Sequence, residues 1–192
     1  MSQDPLVTAL QRGEAYAYKE LVTQYQDRVY NMALSMLQHE EDAADIAQEV
    51  FVQVFQSITA FKGASKLSTW IYRITVTKTL EQMRRKRTKK RTGIVLSLTT
   101  HEYLPEQNNK GNFYHPGVAL EQKELSAVLF KAIDQLPEKQ RIAFILNKIE
   151  QLNYEEVRQV MEISLSSVES LLFRAKQNLQ KMLESVYKNY ES

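Results

Sequence analysis

A segment of 25 residues without helical periodicity, from 93 to 117, divides the chain into two parts. Its second half is rich in Gly, Pro and Asn, which favour turns and loops. A connector of this length is too long for the interior of one compact domain, where most connections have only a few residues. The chain therefore predicts two small domains, 1–92 and 118–192, joined by a flexible linker over 93–117.

Both parts have the apolar periodicity of amphipathic helices. In the first part, apolar residues recur every three or four positions over 16–37 and again over 46–58, where the predicted core face includes Phe55. In the second part they recur over 127–136 and 168–182. Only five Gly and four Pro residues occur in the whole chain, which disfavours turn-rich β architecture. The predicted fold class is all-α, with two small helical domains.

The most basic stretch, residues 61–91, contains eleven Lys and Arg residues and one acid, whereas the whole chain has a net charge of +2. Such a patch is typical of a polyanion site, because each neutralised phosphate releases counterions. Phe61, Trp70 and Tyr72 precede the uninterrupted cations, which indicates aromatic faces for unstacked bases and then a tail for phosphates. A core tryptophan before a solvated basic helix end, a nuclear-type targeting signal and a membrane-surface helix are the alternatives.

An acidic polar strip lies on the helix predicted before this stretch. Asp45, Gln48, Glu49 and Val52 project away from the apolar face of that helix. One exposed valine among acids suits docking on a basic protein surface, although a plain solvated face has the same pattern.

The last 40 residues contain two helical segments, 153–161 and 165–187, separated by a three-residue turn. The second segment has small polar and basic residues on its outer face. This arrangement is the pattern of a helix-turn-helix, although any small helical bundle also contains helix pairs.

The composition excludes several classes of site. The chain has no Cys, which excludes disulfides and thiolate metal sites. His39, His101 and His115 are scattered and no glycine-rich phosphate loop occurs, so we expect no catalytic residues, no metal site and no cofactor. The start of the chain does not resemble a signal peptide, and no apolar run reaches transmembrane length. We therefore expect a cytoplasmic protein that is not an enzyme and does not insert into membranes.

The two parts together resemble a bacterial sigma factor of the extracytoplasmic-function (ECF) class within the sigma-70 family. The resemblance to the family's region 2 helix, which docks on the clamp of RNA polymerase, lies in the segment DAADIAQEVFVQVFQSITAF. The resemblance to the adjoining segment, which opens promoter DNA, lies in STWIYRI followed by RRKRTKKR. The resemblance to the region 4 helix-turn-helix lies in LPEKQRIAFILNKIEQLNYEEVRQVMEISLSSVESLLFRAKQNL. The resemblance implies a promoter-specificity subunit whose partners are core RNA polymerase, promoter DNA and an anti-sigma factor.

The resemblance assigns individual residues to three groups. Contacts with core polymerase are expected at Asp45, Gln48 and Glu49. Contacts with melted promoter DNA or its phosphates are expected at Phe61, Lys62, Lys66, Trp70, Tyr72, Arg73, Thr77, Arg84, Arg85 and Arg87. Contacts with the upstream promoter element are expected at Ser166, Ser167, Glu169, Ser170, Arg174 and Lys176.

Three residues depart from the family pattern. Thr77 stands where the family usually has Asn, and Ala64 stands where an acidic residue is common, so the base preference at the nearer element is open. Glu169 stands where Lys or Arg is frequent; it weakens phosphate attraction and can accept a hydrogen bond from a cytosine amine. The alternative function is a helix-turn-helix activator that recruits polymerase without melting DNA, in which case the aromatic residues near Trp70 belong to the core.

Overall fold

The computed structural model describes residues 4–100 and 123–190, with side chains described for 4–88 and 126–184. The described ranges contain α-helices and no strand, so the predicted all-α fold is confirmed. The helices are α1 (Pro5–Gln11), α2 (Ala15–Leu37), α3 (Glu40–Ser57), α4 (Leu67–Thr100), α5 (Lys123–Asp134), α6 (Glu138–Phe144), α7 (Tyr154–Met161) and α8 (Leu165–Tyr190). A 3-10 turn over Ile58–Ala60 follows α3, and a π-helical turn over Ile145–Ile149 follows α6.

The long helix α4 runs past the predicted start of the linker. It continues to Thr100, through the first eight residues of the segment 93–117. Residues 101–122, which include the rest of that segment, lie outside the described residues. The domain bounds 1–92 and 118–192 stay a prediction.

In the first half, α2 packs along α3, and both helices pack on α4. The core stripe of α3 follows Ile46, Val50 and Val54 at four-residue spacing, and all three are buried. The prediction that Phe55 faces this core is wrong, because Phe55 is 60% exposed. One residue beyond Val54, the helix has turned by about 100°, which moves Phe55 off the stripe and against Tyr18, with 4.8 Å between the ring centroids.

The β-branched run in the middle of α4, residues 74–77, is helical. The hydroxyls of Thr75, Thr77 and Thr79 each donate a hydrogen bond to the carbonyl four residues earlier, at 2.9, 2.9 and 2.8 Å. These bonds give the hydroxyls of the buried Thr75 and Thr79 a partner inside the helix, so burying this face leaves no orphaned polar oxygen there.

In the second half, α5 to α8 pack around fully buried apolar side chains such as Phe130, Ile133 and Val168. Arg141, only 2% exposed, is also in this core; its Nη1 lies 2.8 Å from Asp134 Oδ1. A buried guanidinium requires such a partner because an unpaired charge in an apolar interior is costly.

The two halves are in direct contact. Their buried residues form one continuous apolar cluster, in which α4 packs against α7 and α2 packs against the π-helical turn. Gln38, at the left-handed end of α2, donates from its Nε2 to the carbonyl oxygen of Phe130 in α5 at 2.7 Å. The contact therefore combines apolar burial with a buried hydrogen bond between the halves.

Candidate nucleic-acid interface

The acidic strip of α3 is exposed. Asp45, Gln48 and Glu49 are all accessible, and Val52 is 54% exposed beside them. Their spacing of three and four residues places them along one face of the helix. The Glu49 carboxylate lies 3.9 Å from Lys78 Nζ of α4, a long and exposed ion pair. The strip is thus available to a partner without any change in the fold of α3.

A cavity of about 390 Å³ opens between α3 and α4, beside the half-buried ring of Trp70. Arg73, Thr77 and Lys78 of α4 and Gln53 of α3 also line it. A flat aromatic wall next to two cations can stack a nucleobase and neutralise the phosphates attached to it. The structure therefore brings three predicted residues together, Trp70, Arg73 and Thr77, and adds Lys78 beside them.

Two of the three predicted aromatic residues are buried. The Phe61 ring packs against Trp70 with 5.1 Å between centroids, and the Phe61 carbonyl accepts a hydrogen bond from Gln11 Nε2 at 2.9 Å. The Tyr72 ring is buried too, and its hydroxyl donates to Glu150 Oε2 at 2.9 Å. In this conformation Phe61 supports the Trp70 ring, and Tyr72 contacts the second half of the chain. Their contact with bases stays a prediction.

The cations between residues 62 and 87 differ in their surroundings. Lys62, Arg85 and Arg87 are exposed, whereas Lys66 and Arg73 form ion pairs with acids of the second half. Two further cations also pair with acids: Arg84 Nη2 lies 3.6 Å from Glu138 Oε1, and Lys86 pairs with Asp42. The side chains of the last cations, 89–91, lie outside the described residues.

Tyr72 and Glu150, which share a hydrogen bond, both have a raised side-chain pKa. Burial, reinforced by the charge of Glu150, raises the pKa of the Tyr72 hydroxyl well above its usual range. Burial also raises the pKa of the Glu150 carboxyl to about 7, against the opposing effects of the Tyr72 hydrogen bond and of Arg28. At neutral pH this carboxyl is therefore poised to take up or release a proton while Tyr72 stays protonated.

The helix-turn-helix predicted near the C-terminus is present as α7 and α8. Asn153 and Glu156 form a reciprocal capping box at the start of α7, and Glu162 ends α7 in the left-handed region at φ 54. Ser164 Oγ accepts the Ser167 backbone N–H at 3.2 Å at the start of α8. These local bonds fix the turn and the direction of α8.

The outer face of α8 carries most of the residues predicted for it. Those that the structure exposes are Ser166, Glu169, Ser170, Arg174 and Lys176. Ser167 is half-buried and held by Ser164. Phe173, 63% exposed, lies on the same face, seven residues after Ser166. The sequence interpretation missed Phe173, although its helical spacing from Ser166 and Ser170 was a usable signal.

Two family matches cover the two halves. Residues 21–89 match Sigma-70 region 2, and residues 126–179 match Sigma-70, region 4. The chain belongs to the ECF class of the sigma-70 family of RNA polymerase sigma factors. All the predicted site residues lie within the two matched ranges, in α3 and α4 or their connection for region 2 and in α8 for region 4.

Similar proteins extend over almost the whole chain. The RNA polymerase sigma-H factor of Pseudomonas aeruginosa is 29% identical over 179 residues, which cover 93% of this chain and 92% of that protein. The ECF RNA polymerase sigma factor SigW of Bacillus subtilis is 27% identical and covers 94% of this chain and 96% of its own length.

Two solved structures have the same fold. CnrH, in complex with the cytosolic domain of CnrY, matches with a TM-score of 0.68 and 19% identity over 94% of this chain and 96% of that chain. The sigma factor RpoE of Bartonella quintana, in complex with the anti-sigma factor NepR, matches with a TM-score of 0.65 and 20% identity over 87% and 96%.

The described residues contain no cluster of three or more His, Asp or Glu side chains that could hold a metal ion. His39 instead caps α3, where its Nδ1 accepts the Asp42 backbone N–H at 3.3 Å. In the same part of the chain, no helix is both long enough and apolar enough to cross a bilayer.

Proposed function

We propose that this sigma factor directs core RNA polymerase to promoters through three separate surfaces. The strip of Asp45, Gln48 and Glu49 on α3 contacts polymerase. The Trp70 cavity and the cations of α4 bind the melted promoter strand. The exposed face of α8 reads the upstream element as duplex DNA. The functional division follows the predicted bounds, with region 2 in 1–92 and region 4 in 118–192.

The cavity beside Trp70 is the observation that carries this proposal for region 2. Opening a promoter requires bases to leave the stack, at a cost of a few kcal/mol for each step. A base that stacks on an aromatic side chain recovers roughly 1–3 kcal/mol, and cations such as Arg73 add attraction to its phosphates. Binding energy alone can therefore favour the open state, and no catalytic residue is required.

The exposed side chains of α8 suit contact with base edges in a major groove. A helix of this kind fits that groove, and Ser, Glu and Arg side chains offer donors and acceptors there. Phe173 adds an apolar surface, which suits a thymine methyl group. Glu169 accepts from a cytosine amine in the same geometry, so we expect base preference at the upstream element to depend on this residue.

An anti-sigma factor is the further partner that we propose. One of the two similar structures contains the anti-sigma factor NepR, and the exposed strip of α3 and face of α8 are surfaces that such a partner can cover. Core polymerase and promoter DNA are the other partners, and we place the protein in the cytoplasm with them.

The proposal is tested with promoter DNA and purified core polymerase, with and without this chain. Thymines in the melted segment should react with permanganate only when the chain is present. An activator that recruits polymerase without melting DNA would leave those thymines unreactive, although polymerase occupancy of the promoter would rise. Transcription from a library of genomic fragments then identifies the promoter sequence.

A further inference from the structure

Acidic residues of region 4 lie on the DNA surface of region 2. Lys66 Nζ is 3.0 Å from Glu156 Oε1, and Arg73 Nη1 is 2.9 Å from Glu162 Oε1. Arg73 also donates from Nη2 to the Gln159 carbonyl oxygen at 2.7 Å. A carboxylate and a phosphate oxygen make the same charge-assisted bonds to Lys and Arg, so they compete for these donors.

The contact extends beyond these ion pairs. Tyr72 of α4 bonds to Glu150 after the π-helical turn, and Gln38 bonds to the Phe130 carbonyl in buried surroundings. Apolar side chains of both halves join one cluster around these bonds. Exposed ion pairs are individually weak. Burial of apolar side chains therefore supplies most of the stability of the contact between the halves, and the ion pairs determine how the two halves are oriented. Contacts between domains of one chain are commonly reversible in this way.

The other two binding surfaces stay open in the same structure. The α3 strip at Asp45, Gln48 and Glu49 is exposed, and so is most of the α8 face. The contact between the halves is therefore selective. It occupies Lys66, Arg73 and Tyr72 of the surface for melted DNA, while the surfaces for polymerase and duplex DNA remain accessible.

We propose that region 4 acts as an internal competitor for single-stranded DNA, and that this chain must open its α4–α7 contact before region 2 can bind a melted promoter strand. This inference rests on the proposed function, since it assumes that Lys66, Arg73 and the Trp70 cavity bind DNA. It adds that two acids of the chain itself, Glu156 and Glu162, occupy DNA-binding cations in the free protein, independently of any anti-sigma factor.

The test uses the full-length protein with Glu156→Gln and Glu162→Gln together. Glutamine keeps an oxygen that can accept the Asn153 backbone N–H, so the capping box of α7 is retained. The matched control is Glu155→Gln with Glu184→Gln. It removes the same charge from region 4, but Glu155 pairs within α7 and Glu184 accepts within α8.

Affinity is measured by fluorescence anisotropy with a labelled single-stranded oligonucleotide of about 12 nucleotides, a length that one small binding domain can cover. The test variant should bind about three- to tenfold more tightly than the natural chain, because two ion pairs no longer compete with phosphate. The control variant should change affinity by less than about twofold, since its acids do not touch α4. Equal gains in both variants, or no gain in either, would overturn the proposal.

A second readout follows the contact without DNA. The natural chain has no Cys, so spin labels can be placed specifically at Gln56→Cys in α3 and Gln177→Cys in α8, both exposed. Pulsed electron paramagnetic resonance measures the distance between the two labels. We expect one short distance in the otherwise natural chain and in the control variant, and an additional longer distance in the test variant. Identical distance distributions in all three proteins would also overturn the proposal.

Trp70→Ala in the background of the test variant separates this inference from the proposed function. If Trp70→Ala lowers the single-strand affinity but the acid substitutions do not raise it, the DNA surface stands and the internal competition is wrong. If Trp70→Ala leaves the single-strand affinity unchanged, the proposed DNA surface of region 2 is wrong, and the inference that rests on it falls as well.

Discussion

Region 2 and region 4 differ in how accessible their candidate DNA surfaces are. In region 2, Lys66 and Arg73 are paired with acids of region 4, and the Tyr72 hydroxyl donates a hydrogen bond to Glu150. On α8, by contrast, Ser170 and Arg174 are exposed. The surface predicted to bind melted DNA is partly covered by region 4, while the surface predicted to bind duplex DNA is open.

This difference follows from what each surface has to bind. Duplex DNA is present before any promoter opens, so an accessible α8 can search for its element at once. Single-stranded DNA exists only after melting, and an exposed cationic and aromatic surface would meanwhile bind RNA or other single strands nonspecifically. Covering α4 with Glu156 and Glu162 suppresses such binding at the cost of a weak, reversible contact.

The largest expected effect separates two phenylalanines of region 4. Phe130 is fully buried where the halves meet, so Phe130→Ala should lower the free energy of unfolding by about 3–5 kcal/mol. Phe173 lies on the open face of α8, so Phe173→Ala should change that free energy by less than about 0.5 kcal/mol. Urea unfolding measures both. Similar losses for the two variants would contradict the distinction between a covered and an open face.

The next effect concerns the α3 strip. Asp45→Ala with Gln48→Ala should weaken binding to core polymerase by about tenfold, because truncating the few interface residues that carry most of the binding energy costs more than about 1 kcal/mol each. Stability should change by no more than about 0.5 kcal/mol, since both side chains are exposed. Glu20→Ala, an exposed acid on α2, is the control. Holoenzyme assembly with unchanged affinity in the double variant would rule out the strip as the polymerase contact.

A smaller effect compares the arginines of the two surfaces. Arg174→Ala should lower the slope of log affinity against log salt by about 0.9 for duplex DNA, the value for one lost phosphate contact. Arg85→Ala should leave that slope unchanged and lower the slope for single-stranded DNA by about 0.7. Titrations of both DNA forms at several salt concentrations measure the slopes. If both variants changed the slope for the same DNA form, the assignment of duplex DNA to α8 and of single-stranded DNA to α4 would be wrong.

The smallest effect is a pH dependence of the contact between the halves. Burial raises the pKa of Glu150 from 4.5 to about 7 in the closed form, so closure is strongest below the lower value and weakens as the pH rises towards and through the higher one. Tyr72 and Arg28 face this carboxyl and oppose the shift, and Tyr72 stays protonated throughout. Raising the pH from 6 to 8 should increase single-strand affinity by about threefold, well below the full effect because Glu150 is only partly buried.

Glu150→Gln is the control for this pH dependence. Its amide oxygen can still accept from Tyr72, but it carries no titrating proton, so the increase with pH should disappear. An unchanged pH profile in Glu150→Gln would show that another group causes it.

Much of the fold could be predicted because its signals are local. The bounds of α2 and the break between α7 and α8 follow from apolar periodicity, which a single sequence displays. Phe55 was assigned to the wrong face because α3 is broadly apolar at its end, and only packing against α2 and α4 decides which stripe is buried. Phe173 was missed because an aromatic residue on a helix more often belongs to a core than to an exposed face.

The contact between the halves could not be predicted from the sequence. Lys66 and Glu156 are 90 residues apart, and each looks like an ordinary surface charge in its own segment. Their pairing depends on how region 4 packs on α4, and no local pattern reports that packing. The dense positive charge of residues 61–91 indicated a polyanion site, yet the sequence alone did not indicate that this chain supplies its own competing carboxylates.

Promoter opening by a Trp70→Ala holoenzyme tests the central claim most directly. Loss of a stacking surface worth roughly 1–3 kcal/mol should reduce permanganate-detected opening by about five- to a hundredfold, while duplex binding through α8 is retained. Trp70→Phe should preserve most of the opening. Thermal unfolding of the same proteins gives the folded fraction. If opening by Trp70→Ala falls only in proportion to that fraction, Trp70 is a core residue and the melted strand does not bind at this cavity.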